Sequence, residues 1–562
     1  MFYMIKDAVG WPFLVRARLQ ARRFLHETRQ TRVVQHARLM EFITKNSNSD
    51  FARDHHFHEI RTLKDYQKHV PLRGYDEHEP YIKRVREGNV GALFAPDTKI
   101  LMFAMTSGTT AEPKTIPVTK ESLNNYRMGW TIWGIQAFDA HPKITEKGMR
   151  NVLQLVGNWR ETTTQSGVPC GAITGLTAAM QNPLVRQTYC MPPSTMGIKS
   201  IEAKYYVALR LSVGRDVALV IAANPSTLLG IARMGDREKE TLIKDIHDGT
   251  LSNRWDIPAD IRRSLRSATF FKAKHTAKEL ENIVNRTGRL LPRDYWPNLS
   301  LLGNWTGGTM GMYLKSYPEY FGDVAVRDIG LIASEGRFTI PIEDGTPGGV
   351  LDIRRHFFEF IPEDQAESPQ PDIVEASDLI EGRRYFIIPT TAGGLYRYRI
   401  NDLVRCVGKY NDAPILEFLN KGAHYSSLTG EKLSEFQVVA AVEQSLKALN
   451  LHVKSFLLLP TWGDVPRYTL LIEHDDLSNT TQISALEIEV DRRLSDLNIE
   501  YENKRSTQRL GPVHVRRIVS GSWSDFQKKR LAKSRGVLEQ YKQPCLLPDL
   551  DAIRQFQFHD PD

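Results

Sequence analysis

Met105-Thr106-Ser107-Gly108-Thr109-Thr110-Ala111-Glu112-Pro113-Lys114-Thr115-Ile116-Pro117 is the stretch on which the reading of the chain turns. Thr106, Ser107, Thr109 and Thr110 surround Gly108, and Lys114 follows. Small hydroxyl residues about a glycine let backbone N–H and side-chain O–H groups converge on an anion, and the lysine adds a positive charge. The pattern describes a phosphate loop. It is not a Walker A loop: Pro113 stands where the second glycine should be and has no N–H to give. A Walker A loop also opens a helix, whereas Thr115-Ile116-Pro117-Val118 reads as extended chain. The expectation is a phosphate loop between two extended segments; the plain alternative is a polar hairpin turn.

Downstream, Thr119 is placed to cap a helix carrying Leu123, Tyr126, Trp130, Trp133 and Phe138. Such an aromatic side is more often core than ligand pocket. Upstream, residues 4–45 have helical spacing, 70–76 form a turn-rich link, and 76–88 form a short helix ending at Gly88. His55-His56-Phe57-His58 raises the question of a metal, but neighbouring histidines seldom meet on one ion without further ligands.

The middle of the chain alternates strand and helix patterns, which indicates an α/β sheet. Val152–Val156 and Val217–Ala222 are apolar enough for buried strands, and Asn224-Pro225-Ser226 starts a helix after the second. Residues 236–290 are charged and helical. A second ligand-type stretch, Leu301–Met310, is a strand ending in glycines that admit a ligand to the backbone. Ile329–Gly336 reads as an apolar strand ending in small residues and Glu335. That carboxylate is a candidate Mg²⁺ ligand, although an isolated glutamate at a strand end is ordinarily a surface charge. Tyr385–Pro389 is a strand, 390–394 a turn, and Leu395–Ile400 alternates as a half-exposed strand does. Asp402 follows at a bend, where its carboxylate could grip a ribose diol or simply make an Asx-turn.

Beyond residue 419 the pattern changes. Helix 434–449, strands 453–460 and 467–474, helix 482–497 and strand 513–519 make a small α+β unit of split βαβ type. The expected division is a large domain, 1–419, and a mobile C-terminal domain, 420–562, with the boundary at 418–421.

Composition agrees. A chain of 562 residues is too long for one core, and 41% hydrophobic with 25% charged residues is ordinary for a globular protein. The net charge of +8 is spread out. Lys528-Lys529-Arg530 reads as a solvated helix face rather than a nucleic-acid patch, so no nucleic-acid partner is expected. Four scattered cysteines, Cys170, Cys190, Cys406 and Cys545, fit a reducing, cytoplasmic setting. The basic N-terminal stretch has no run long enough for a membrane span and reads as an amphipathic helix buried on the protein.

With these ligand-type stretches in order, the sequence resembles the Gretchen Hagen family of acyl-acid amido synthetases, within the adenylate-forming superfamily that includes acyl-CoA synthetases and luciferases. The resemblance covers most of the chain. It starts at Val70–Gly88, where Pro71, Tyr75, Pro80-Tyr81-Ile82 and Gly88 match a family signature outside the active site. The family's phosphate loop is similar to Thr106–Thr110 with Lys114 and Pro117. Its second motif resembles Ala333-Ser334-Glu335-Gly336, its third Tyr398-Arg399-Ile400-Asn401-Asp402, and its C-terminal motif Gln540–Pro544. The sequence departs from the family at Thr106 (usually serine), Asn401 (glycine), Leu331 (tyrosine) and Cys545 (arginine). Of these, Asn401 stands where a left-handed conformation is needed.

The resemblance implies an α/β fold with a large adenylate-forming domain and a small α+β C-terminal domain. It also implies ATP and Mg²⁺ as cofactors. Ser107, Gly108, Thr109 and Thr110, with Thr106 and Lys114, would hold phosphates. Gly308 and Thr309 would line the adenine and acyl sites. Ser334 and Glu335 would serve nucleotide and Mg²⁺, and Asp402 the ribose hydroxyls. Lys432 and Lys542 would approach from the C-terminal domain as catalytic lysines. The expected reaction joins a small acyl acid to an amine, most simply an amino acid, through an acyl adenylate. A ligase forming acyl-CoA or loading a carrier, and a non-catalytic nucleotide-binding protein, are the alternatives. Trp130, Trp133 and the Trp305 region suggest an apolar or aromatic acyl group.

Overall fold

The computed structural model describes residues 2–105, 114–146, 148–269, 272–307, 310–366, 368, 370–421, 425–426, 428–429, 431, 433–463, 465–506, 508, 510–534 and 543–559. Both flanks of the opening stretch are extended, as their residues predict. Strands Ile100–Met105 and Thr115–Thr119 run antiparallel, and Met105 pairs with Thr115. The two ends of the loop are therefore held opposite each other, while Thr106–Pro113 lie outside the described residues. Thr119 caps helix Lys120–Ala140, its side chain accepting a hydrogen bond from Ser122 N–H.

Three sheets build the large part of the chain. The first has the order Thr115–Thr119, Ile100–Met105, Pro169–Gly171, Thr162–Thr163. The second is parallel, Asn151–Gln154, Val217–Ile221, Leu301–Gly303 and Ala325–Arg327 in that order. Val217–Ile221 is buried throughout, as a continuous apolar run on a parallel sheet should be. Asn224 caps the next helix, Pro225–Arg237. The third sheet is antiparallel with seven strands: Val374–Glu375, Phe357–Pro362, Arg384–Thr390, Asp402–Tyr410, Ala413–Lys421, Gly349–Leu351 and Thr339–Ile340. The N-terminal helices Phe2–Glu27 and Thr31–Lys45 pack on this body, burying Phe24, Leu39 and Phe42.

The C-terminal part has its own core, including Leu433, Val438, Phe456, Leu470, Val490 and Tyr501. Helices Glu435–Ala448 and Thr480–Leu497 cover strands Phe456–Thr461, Arg467–Glu473 and His514–Ile518.

Four expectations need correction. Leu395–Ile400 is not a half-exposed strand: Tyr396, Arg397, Tyr398 and Ile400 are all buried, and Arg397 takes φ 47°, which breaks the extended run. Ile329–Gly336 is not a strand either. The strand lies just before it, Ala325–Arg327, and Gly330 at φ 92° turns the chain away. A Cβ at Gly330 would sit 2.3 Å from the Thr339 carbonyl oxygen, so both conformation and space require glycine there. The small C-terminal sheet is a plain βαβ rather than a split one. Strands Arg467–Glu473 and His514–Ile518 are parallel and directly hydrogen-bonded, and Phe456–Thr461 lies antiparallel at the other edge. The helical region 236–290 is broken into pieces, with left-handed Gly249 and Gly288 ending Lys239–Asp248 and Lys274–Thr287.

All four cysteines are free and buried. Among the described residues no helix is long and apolar enough to cross a membrane.

Candidate active site

The site is organised by the turn that carries Glu335. Ala333 and Gly336 exchange backbone hydrogen bonds, and Phe338 N–H reaches the Leu331 carbonyl, so the chain doubles back with Ser334 and Glu335 at its tip. Every side of this turn is fastened. The Tyr126 hydroxyl donates to the Ala333 carbonyl. Trp133 Nε1–H donates to the Asp328 carbonyl at 2.8 Å, and Trp305 Nε1–H to the Gly330 carbonyl at 2.9 Å. Arg337 donates through Nη2 to the Ile329 carbonyl (2.7 Å) and through Nε to that of Thr339 (3.3 Å). Its guanidinium lies 4.5 Å from the Trp130 ring centroid. Burial draws the Arg337 pKa down to about 9, opposed by the Asp352 and Asp328 carboxylates, so it stays charged at neutral pH. Gly129 makes room for it, because a Cβ there would lie 2.5 Å from Arg337 Cδ.

The tryptophans are thus scaffold. Trp133 is fully buried, and the indole N–H groups of Trp133 and Trp305 are spent on the Glu335 turn.

The tip faces the phosphate-loop mouth. Ser334 Oγ–H points to the Met105 carbonyl at 3.5 Å, the last described residue before the loop. Glu335 is buried, unlike an ordinary strand-end glutamate. Tyr398 donates its hydroxyl hydrogen to Glu335. Burial, then the charges of Glu335 and Asp402, hold that phenol protonated far above its usual range. Asp402 is also buried, and Asn401 before it has φ 61°, the left-handed turn anticipated for that position. Tyr398 therefore joins the second and third motifs.

A third side comes from Tyr75. Its hydroxyl accepts from Thr115 N–H at 2.9 Å, and Lys114 Nζ lies 5.2 Å from its ring centroid. Burial pushes the Tyr75 phenol up to about 12, and Tyr75 also adds to the field on Tyr398. Arg73 pairs with the third motif directly: its N–H donates to the Arg397 carbonyl (3.1 Å) and its carbonyl accepts from Arg399 N–H (2.7 Å). Arg73 and Tyr75, from the Val70–Gly88 signature expected outside the active site, thus lie against the third motif and the flank of the loop.

Arg397 is fully engaged. It makes a bidentate pair with the buried Glu359 carboxylate (2.8 and 3.0 Å) and donates to the Val70 carbonyl at 2.9 Å. Asp328 was not singled out in the sequence. Its Oδ2 accepts from Thr306 N–H (2.6 Å) and Oγ–H (2.9 Å), and its Oδ1 from Gly330 N–H (2.6 Å). It ties the Leu301–Met310 stretch to the Glu335 turn, and no local sequence pattern marks it.

Lys114, Ser334, Glu335 and Asp402 are thus brought to one region. Thr106, Ser107, Gly108, Thr109, Thr110, Gly308, Thr309, Lys432 and Lys542 lie outside the described residues. Next to Lys432, Glu431 is buried and accepts from Leu428 N–H, Thr429 N–H and Oγ–H, and the Tyr468 hydroxyl. Burial alone would raise its pKa, but these hydrogen bonds outweigh it and hold the carboxyl below its usual value. Of the sequence departures, Leu331 is partly buried and donates its N–H to Thr339 Oγ at 2.8 Å, and Cys545 is buried in the C-terminal core.

Family models match in three consecutive pieces: the GH3 family N-terminal domain over residues 20–326, the central domain over 349–421 and the C-terminal domain over 436–551. Among similar proteins are indole-3-acetic acid-amido synthetase GH3.3 of Arabidopsis thaliana and jasmonoyl–L-amino acid synthetase GH3.5 of Oryza sativa subsp. japonica. The first is 22% identical, covering 94% of this chain and 91% of that protein; the second is 24% identical, covering 92% of each. The 4-substituted benzoates-glutamate ligase GH3.12 of Arabidopsis thaliana is 23% identical over 94% of this chain and 95% of its own. The solved structure of the GH3.15 acyl acid amido synthetase superposes with a TM-score of 0.81 at 18% identity, covering 95% of both chains. With its three domains matched in order, the chain belongs to the GH3 family.

Proposed function

We propose that this protein is an ATP-dependent ligase that activates a carboxylic acid as its acyl adenylate and passes the acyl group to the amine of an amino acid. The observation that carries this reading is the convergence of Tyr398, Glu335, Asp402 and Tyr75 beside the paired ends of the phosphate loop, Met105 and Thr115. The relatives' names, which describe acid–amino acid ligation, support it.

A carboxylate is a poor electrophile because its charge repels nucleophiles and oxide leaves badly. Attack of its oxygen on the α-phosphorus of ATP forms the acyl–phosphate bond and breaks the bond to pyrophosphate. The amine then attacks the acyl carbon, and AMP departs with the former carboxylate oxygen. Thr106–Thr110 and Lys114 would hold the phosphates, Asp402 the ribose hydroxyls, and Gly308 and Thr309 the adenine and acyl groups. Lys432 and Lys542 would approach from the C-terminal unit as charge stabilisers.

The Glu335 carboxylate and Ser334 hydroxyl are hard oxygen donors on a fastened turn, a set that suits Mg²⁺ with nucleotide. Bound there, Mg²⁺ would supply charge neutralisation on the phosphates. Tyr398 orients the Glu335 carboxylate, and Tyr126 and Arg337 fix the backbone beneath it. No general base is needed for the second step, since an α-amino group with pKa of about 7.7–8.0 is partly neutral near pH 7.

The C-terminal unit is taken to begin at residue 420 and to reorient between the two half-reactions. Support comes from its separate core and from Glu431, which is bound to Tyr468 on the C-terminal side. Pyrophosphate exchange into ATP that depends on an added carboxylic acid tests the reading. Folded protein that neither binds ATP nor exchanges with a broad panel of acids would overturn it.

A further inference from the structure

The loop between helices Asp50–Asp54 and Leu63–His69 brings together His56, His58 and Glu59, with His69 behind them. Among the described residues it is the one place where three metal-ligating side chains offer atoms within 4.8 Å of one another. Glu59 Oε1 lies 3.6 Å from His56 Nδ1 and 3.4 Å from His58 Nε2, and its Oε2 lies 3.5 Å from His69 Nε2.

These ion-pair separations are longer than the usual 2.7–3.2 Å of an N–H···O hydrogen bond. Elsewhere in the protein, His36, His141, His247 and His514 meet their carboxylates at 2.6, 2.7, 2.9 and 2.8 Å. His275–Glu279, a solvated pair on one helix face, is as long at 3.4 Å, but it involves a single imidazole. Two ligands about 2.0–2.1 Å from one tetrahedral ion stand roughly 3.3 Å apart, close to what surrounds Glu59.

The local fold makes the convergence. His56 takes φ 50°, ψ 42°, a left-handed turn that brings it back towards Glu59 across the short helix Phe57–Glu59. Buried Phe57 and Phe51 seat the loop, Phe51 stacking on Tyr396 with centroids 4.8 Å apart. His69 is only 15% exposed in its side chain, so it is held in place against Glu59.

We propose that His56, His58 and Glu59 bind one zinc ion, with His69 holding the second oxygen of Glu59. Two imidazoles and one carboxylate suit a first-row divalent ion such as Zn²⁺ and not Mg²⁺, which prefers all-oxygen sites. The bound ion would pin this loop onto Phe51 and so onto Tyr396, two residues from Tyr398.

The test is titration of chelator-stripped, full-length protein with Zn²⁺ against a chromophoric competitor, without nucleotide. One equivalent is expected to bind and to raise the thermal midpoint. His56→Ala and His58→Ala should each abolish this high-affinity equivalent, and His69→Ala should weaken it roughly 10- to 100-fold, as loss of an outer partner does. His474 and His559 stack at 3.5 Å and could capture zinc themselves. With the ion at His56, His58 and Glu59, His559→Ala should leave the stoichiometry unchanged. X-ray absorption should show imidazole nitrogens and carboxylate oxygen on the ion. No stoichiometric binding, binding unchanged in His58→Ala, or binding lost in His559→Ala would each overturn the assignment.

Discussion

Tyr398 donates a hydrogen bond to Glu335, and both groups are buried. That contact joins the turn after the parallel sheet to the segment that leads into strand Asp402–Tyr410 of the antiparallel one, with the Glu335 turn beside the phosphate-loop mouth. Tyr398→Phe keeps the ring and removes the donor. A hydrogen bond to a charged group is worth about 1.5–3 kcal/mol, so acid-dependent pyrophosphate exchange should drop roughly 10- to 100-fold, with the unfolding midpoint little changed. Full exchange in the variant would make Tyr398 scaffold only.

Asp402 tests the nucleotide site from the other side. Asp402→Ala should weaken ATP binding by roughly 10- to 100-fold, on the same hydrogen-bond scale, while the protein stays folded. Equilibrium binding of ATP measures it. An unchanged affinity would leave Asp402 as the residue that opens strand Asp402–Tyr410.

Arg397 is the structural counterpart. Arg397→Met strands the fully buried Glu359 carboxylate, and breaking a buried pair from one side costs about 3–5 kcal/mol. Urea unfolding should show that loss, and adding Glu359→Leu should recover much of it. A neutral single variant would mean that water or another cation replaces the guanidinium.

Stability should fall on mild acidification. His78 Nδ1 lies 2.8 Å from the Gly74 carbonyl, and its Nε2 lies 3.2 Å from both the N–H and the carbonyl of Tyr396, so protonation would trade an acceptor of the N–H for a donor to the carbonyl inside the core. Burial holds its pKa down at about 4, with Arg73 pushing the same way and the Gly74 and Tyr396 backbone hydrogen bonds opposing. His356, buried beside Arg38 and Arg355, is held at about 3. Unfolded histidines take their protons near 6.5, so between that pH and about 4 the unfolded chain binds more protons and stability declines as pH falls. Each histidine contributes up to about 1.4 kcal/mol per pH unit in that window. Urea melts at pH 7.5, 6 and 5 read the slope; a flat profile would contradict the buried neutral state.

Particular residues show what the sequence could reveal. The flanks of the phosphate loop were legible because Thr115–Val118 is β-branched and interrupted by proline, and the cap at Thr119 because a hydroxyl precedes a helical pattern. Asn401 was legible because few residues other than glycine accept φ 61°. Leu395–Ile400 was misread because its alternation of apolar and charged residues mimics an exposed edge. What pairs with buried Arg397 is Glu359, a partner on the distant strand Phe357–Pro362 that no local pattern names. Asp328 and the positions of Arg73 and Tyr75 beside the site went unseen for the same reason: each depends on a backbone group distant in sequence.

The most direct test of the central claim is a matrix of carboxylic acids against amino acids, with coenzyme A as a further acceptor. It is read by AMP formation and product mass in the presence of ATP and Mg²⁺. The expected result is an acid that supports exchange and, with a preferred amino acid, yields an amide at a rate that saturates with amine. A thioester formed faster than any amide at comparable acceptor concentrations would contradict the claim, as would a rate rising linearly with amine and following basicity alone.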